Sequence, residues 1–312
     1  MKKIFTLVAA ALMAVGAQAQ VESYVAVTYD ADANTYTASA EFTNAVIADG
    51  KSIVKFGTDN MQVEAVGGTT AKDVYQDAGT DFAGWTEWND VKWELKNQGD
   101  INYGYIVGTG NPAMEVLAEE VLDGDSRTGH YRPAYVFFDP EAGKMPVMGL
   151  YYKFTAKADG ELKAYVWSNK GNRKTFLVDE ATAKPVEYAA EGYINGQNYT
   201  KDNCGEDESL IGKKKWLTAE EVAALSTQPY IIGPGGQPFW GTITYNMTAG
   251  QTVWLFQHSS QIGFQKYEFT ATSAINNITA ATSKPVTKAI QNGRVVIMKG
   301  NNTFNVAGQL VK

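Results

Sequence analysis

The chain has 312 residues, 34 acidic against 27 basic side chains and a formal charge of −7. An acidic surface repels phosphate backbones, so nucleic acid is excluded as a natural partner. The 7 Trp, 17 Tyr and 13 Phe can fill a sizeable core, and Tyr and Trp also suit binding surfaces because they are apolar with a polar handle.

The first element is Met1–Gln20. Lys2 and Lys3 precede an apolar run from Ile4 to Gly16, and Ala17-Gln18-Ala19 follows. That is the layout of a secretory signal peptide cleaved after Ala19. The apolar run is too short for a membrane anchor. Residues 1–19 are therefore expected to leave the mature chain, which works in the periplasm, at the cell surface or outside the cell. Cytosolic ATP or NAD chemistry is disfavoured there, and no later apolar run is long enough to span a membrane.

Residues 20–98 form an N-terminal β region, within the sandwich domain or separate from it. Val25, Val27 and Tyr29 share one face, and Tyr36, Ala38, Ala40 and Phe42 share another. The polar turn Asp30-Ala-Asp32-Ala-Asn34 joins them, and Ser52–Phe56 continues the β signal. Val91, Trp93 and Leu95 alternate as a further strand. Asp30, Asp32 and Asn34, with Glu41 at the twelfth place, match EF-hand ligand spacing, but Thr35 replaces the glycine and flanking helices are missing. A looser Ca²⁺ site or a solvated Asx turn are the two readings of this loop.

Residues 99–272 are expected to form an antiparallel β-sandwich of jelly-roll type. Gly108-Thr-Gly110-Asn-Pro-Ala113 mimics a dinucleotide fingerprint, but repeated βαβ units are missing, and a glycine turn between strands is the better reading. Met114–Gly124 is the first plausible helix, with a bent strand as the alternative. Ala134–Phe138 is a strand. Two glycine-led units, Gly149–Ser168 and Gly241–Ser259, each read as strand, turn and strand. They fit hairpins at the two edges of one sandwich. Thr218-Ala-Glu-Glu221 is a capping box opening a short helix near 219–225. Residues 273–290 read as a polar linker, and 291–312 as a small hairpin. The fold class is all-β.

PVMGLYYKFTAKADGELKAYVWSNKGNRKTFLVDE, beginning at Pro146, together with GTGNP and GTITYNMTAGQTVWLFQHSSQIGFQKYEFTAT, resembles a family of secreted β-sandwich proteins of Bacteroidetes whose function is unsettled. The tail NGRVVIMKGNNTFNVAGQLVK is similar to a fragment of a type nine secretion sorting domain, without its later strands. The resemblance spans roughly residues 100–312. It implies an exported β-rich protein often placed near carbohydrate metabolism, and it carries over no catalytic residues.

Candidate chemistry is sparse. Cys204 cannot pair within the chain, and the acidic neighbours Glu206, Asp207 and Glu208 work against a reactive thiol. His130 and His258 each have serine and polar neighbours, yet no Gly-x-Ser-x-Gly elbow or zinc spacing accompanies them. No catalytic residue is assigned, although 34 acids leave many carboxylate pairs of the kind glycosidases use. Trp85, Trp88 and Trp240 sit in loop-like stretches where ring faces could stack on sugars. Trp93, Trp167 and Trp254 fall on alternating strands and are expected in the core. The expected function is a non-catalytic carbohydrate-binding or cell-surface protein. A secreted polysaccharide hydrolase or lyase and a structural surface component are the alternatives.

Overall fold

The computed structural model describes residues 21–272, except Asp49, Thr69, Ala78, Ala83, Gly84, Thr86, Asp123 and Thr227, and four strands between 286 and 311. The expected signal segment lies outside the described residues, as does the first part of the expected linker, 273–285. After Thr272 the chain passes into a separate compact unit.

Two seven-stranded antiparallel sheets build the body. In spatial order the first is β16 (Ala189–Ile194), β17 (Phe239–Met247), β13 (Gly160–Ser168), β19 (Ile262–Ala271), β9 (Tyr103–Gly108) and β8 (Trp93–Gln98). The N-terminal strand β1 (Val21–Val25) also pairs with β19. The second is β15 (Lys184–Pro185), β14 (Thr175–Asp179), β18 (Thr252–Gln257), β12 (Tyr151–Ala156), β6 (Met61–Gly68), β5 (Lys51–Gly57) and β4 (Ile47–Ala48). Residues 20–98 are thus no separate domain: β1 pairs with β19, β6 with β12 and β8 with β9.

Alternation explains the packing. In β5, Ser52 and Val54 are buried while Lys51, Ile53 and Lys55 are exposed, the period-2 pattern of a half-buried strand. Val54, Val63, Tyr152, Phe154 and Leu255 of the second sheet share one core with Ile106, Leu162, Ile243, Phe264 and Tyr267 of the first. Burying each such side chain contributes about 1.5–3 kcal/mol. The outer face of the second sheet carries a second core, Val66, Tyr151, Phe176, Val178, Trp254 and Phe256, covered by Phe138, Met114 and Met145. A flanking sheet of β10 (Ala113–Glu120), β11 (His130–Phe137) and β7 (Val74–Tyr75) completes the body.

Several expectations change. The two glycine-led units do not close as hairpins. In the first, β12 lies in the second sheet and β13 in the first; in the other, β17 lies in the first sheet and β18 in the second. The units interlock at the sheet centres, β12 beside β18 and β13 beside β17. Val253–Gln257 of β18 are all buried, which an exposed sheet edge cannot provide. Met114–Glu120 is strand, not helix, paired to β11 with a register shift between Ala113 and Glu115. Val25 and Val27 do not share a face: Val25 is 40% exposed and Val27 4%, because the chain bends at Ala26. Ala40 and Phe42 belong to a one-turn helix α1 (Ala40–Thr43), not a strand. The sequence before it forms the hairpin β2 (Val27–Asp30) and β3 (Thr35–Ala38).

The Gly108–Pro112 turn is a close backbone crossing. Gly110 has φ +96°, and a Cβ there would lie 2.6 Å from Gly68 O. A strand follows instead of a helix, so the fingerprint has no helix N-terminus to receive a pyrophosphate. The capping box is present: Thr218 Oγ1 accepts from Glu221 N at 3.3 Å and Glu221 Oε2 from Thr218 N at 3.0 Å. It opens α2 (Ala219–Leu225).

In the C-terminal unit the expected hairpin extends to a four-stranded antiparallel meander, β20 (Val286–Gln291), β21 (Arg294–Lys299), β22 (Asn302–Asn305) and β23 (Leu310–Val311). It begins inside the expected linker, where Val286–Ile290 supplies a pairing strand that a marginal two-stranded hairpin lacks. Among the described residues no helix is long and apolar enough to cross a membrane.

Candidate functional site

A cleft of about 1000 Å³ opens beside the β16–β17 edge of the first sheet. Its walls come from segments far apart in sequence: Glu161 of β13, Glu187–Ala190 before and at the start of β16, α2, Ser226 with Gln228–Ile232, and Thr244–Asn246 of β17. The capping box fixes where α2 begins. Val222 faces inward, 2% exposed, and anchors the helix to the body. At the other end, Ser226 Oγ donates to the carbonyls of Val222 and Ile231, folding the loop back on the helix.

Three tyrosines line the cleft, and each is held. Tyr188 OH donates to Thr175 O at 2.6 Å. Thr175 N donates to Tyr230 O at 2.8 Å, so one residue of β14 pins both aromatic walls. The Tyr188 and Tyr230 rings lie 6.2 Å apart, tilted by 38°, and Tyr230 also packs on Phe176. Tyr245 OH accepts from Gln251 Nε2 at 3.2 Å. Tyr230 has φ +68°. A bulky side chain in the left-handed region costs about 1–3 kcal/mol, and such strain concentrates where a side chain must be held in one place.

The cleft is acidic. Glu161, Glu187 and Glu220 line it, without a lysine or arginine. None of the three forms a salt bridge among the described residues. The Glu220 carboxyl sits below the usual carboxylate range, held there by its own backbone amide and the Thr218 hydroxyl. Burial raises the Tyr230 phenol, and the nearby Glu187 raises it further, so the ring stays neutral. A general acid for glycoside cleavage needs a raised carboxyl pKa; Glu220 is shifted the other way.

The sequence-predicted residues lie elsewhere. Trp240 is a strand residue of β17, 6% exposed and stacked on Tyr193 at 6.0 Å, not a loop aromatic. Its apolar strand neighbours Phe239 and Gly241 carry it into the sheet. Trp85 is half-buried, edge-on to Phe82 at 5.5 Å, with a buried Nε1. Trp88 is half-buried too, its backbone bridging Ala71. Neither ring belongs to the large cleft. Trp167 and Trp254 are 7% exposed, and Trp93 packs against the main core.

At the Asp30 loop, Asp30 Oδ1 accepts from the amides of Asp32 and Ala33 at 3.0 Å, an Asx turn. Asn34 Oδ1 accepts from Tyr29 OH at 3.0 Å, and Glu41 from Tyr24 OH. Among the described residues no group of three or more His, Cys, Asp and Glu gathers for a metal. His130 is 4% exposed on β11; its Nε2 lies 3.2 Å from Asp73 Oδ2, which Arg127 also holds. His258 Nδ1 meets Ser259 Oγ at 3.1 Å. Burial, with Arg173 and Lys174 nearby, lowers its pKa and keeps it neutral. Cys204 is buried.

The cleft residues Tyr188, Tyr230, Tyr245, Glu161, Glu187 and Glu220 carry no local motif. The Gly-Pro-Gly-Gly loop just after Tyr230 is the nearest sequence signal. No protein family, curated protein or solved structure matches the chain.

Proposed function

We propose that this is an exported, non-catalytic glycan-binding protein whose ligand occupies the tyrosine-walled cleft. One observation carries the reading: rings pinned by main-chain hydrogen bonds stand in an open groove beside carboxylate acceptors. Sugar rings present apolar C–H faces that stack on aromatics, while their hydroxyls donate to carboxylates. Export rests on the basic, apolar and Ala-x-Ala pattern of residues 1–19 and on the resemblance of the tail to a secretion sorting domain. Glu161, Glu187 and Glu220 serve this reading as acceptors for sugar hydroxyls.

The test is a glycan array with chain 20–312, followed by the Tyr245→Ala variant. Tyr245 is half-buried, so the variant is expected to fold and to lose binding about tenfold or more. Undiminished binding would move the site elsewhere. Release of new reducing ends by the wild type would replace this reading with the hydrolase one.

A further inference from the structure

We infer that the cleft selects glycans that carry free amino groups, that is, polymers of glucosamine type. The inference rests on the cleft being the glycan site proposed above, and it adds the charge of the ligand.

The cleft wall holds three glutamates and no basic residue. The neighbouring lysines do not cancel this field. Lys163, on the same strand as Glu161, is engaged by Glu191 at 2.6 Å, and Lys266 by Glu268 at 2.8 Å. Uronate or sulfated chains would meet unrelieved like-charge repulsion. A neutral chain gains hydrogen bonds from its hydroxyls to the carboxylates but nothing from their charge. An ammonium-bearing chain adds charge-assisted hydrogen bonds to the exposed carboxylates, an attraction that salt screens.

The aromatic walls point the same way by an independent route. The Tyr188 and Tyr230 rings pack on each other with centroids 6.2 Å apart, and both line the cleft, where an ammonium over a ring face is attracted by the ring quadrupole. Both phenols are pushed up by burial, so the rings stay neutral. The Tyr188 hydroxyl is fixed on Thr175 O, which sets its ring before any ligand arrives. Tyr230 is held in place despite its left-handed backbone. Anions on one wall and paired rings on the other are the two features that bind an amine.

The experiment is titration calorimetry of the full mature chain with four probes: a glucosamine hexamer, its N-acetylated counterpart, a galacturonate hexamer and hexalysine. Acetylation removes the charge and keeps the sugar, so this pair isolates the ammonium. At low ionic strength the glucosamine hexamer is expected to bind about tenfold tighter than the acetylated form or better, with no uronate binding. That ratio should collapse in about 0.5 M salt, where the Debye length falls to a few ångströms. It should collapse likewise in the triple variant Glu161→Gln, Glu187→Gln and Glu220→Gln, whose exposed positions leave the fold intact. Equal binding of the two hexamers overturns the charge inference and leaves the cleft as a glycan site. Hexalysine binding as tightly as the glucosamine hexamer overturns the commitment to a glycan. No binding of the glucosamine hexamer overturns this inference, while the glycan array separately decides the proposed function.

Discussion

Replacing Trp240 by alanine separates recognition from packing. A Trp240 in an exposed loop would leave the melting temperature alone. Trp240 instead sits in β17, 6% exposed, between Trp167 on β13 and Tyr193 on β16. Truncating a buried aromatic costs about 3–5 kcal/mol through lost burial and the cavity left behind. For a body of this size each kcal/mol shifts Tm by about 2–4 °C, so a fall of about 6–20 °C is expected. Trp240→Phe is the discriminating control. It keeps most of the ring and removes a buried Nε1–H that has no hydrogen-bond partner among the described residues. An unsatisfied buried donor costs about 1–3 kcal/mol, which offsets part of the lost volume. The Phe variant is therefore expected within about 1.5 kcal/mol of wild type. Thermal melting followed by near-UV circular dichroism reads both. An alanine variant that melts like wild type, or a phenylalanine variant as damaged as alanine, would refute the placement of Trp240 in the core.

Gly149→Ala is expected to be far more damaging than Gly143→Ala in chemical denaturation. Both have positive φ, but a Cβ at Gly149 would lie 2.2 Å from Asn111 O, while at Gly143 it meets nothing within 4 Å. The second should therefore cost only the left-handed penalty of about 1–2 kcal/mol. Acid melting should show a contribution from Glu22. Burial raises its carboxyl, but hydrogen bonds from Thr58 and Asn60 outweigh this and lower its pKa below 4.5. Its stabilisation is full above that value and is lost as pH falls through the lower folded pKa, so Glu22→Gln should flatten the Tm profile between about pH 5 and 3. Deleting residues 273–312 is expected to leave the main melting transition of the body in place, because the chain separates into compact units at Thr272. N-terminal sequencing of the exported protein should begin at Gln20.

The sequence determined what is local. Period-2 alternation in Ser52–Phe56, and the mixed glycine and aromatic runs after Gly149 and Gly241, mark strands because side chains must alternate across a pleat whatever sheet they join. Thr218 and Glu221 mark a helix start because both capping hydrogen bonds span only three residues. Glycine at 110 reflects a turn that admits no side chain. Partnership between strands was not legible. Glu115 and Glu119 look helical in isolation, yet pairing with β11 makes Ala113–Glu120 a strand, since tertiary hydrogen bonds override weak propensity. The two glycine-led units read as hairpins because adjacency in sequence is the simplest pairing. In the fold β18 is buried on both faces between β12 and β14, and β17 pairs in the other sheet.

The cleft belongs wholly to tertiary structure. Tyr188, Tyr230 and Tyr245 become neighbours because Thr175 of β14 bonds two of their segments and because β17 forms the floor. No short stretch records that convergence. Trp240 read as a loop residue for the same reason: a glycine-rich flank shows where the chain can turn, whereas burial depends on which strands later pair with its own. Composition and short-range pattern settled that the chain is β-rich. The pairing of distant strands decided which aromatics became core and which were left to line a groove.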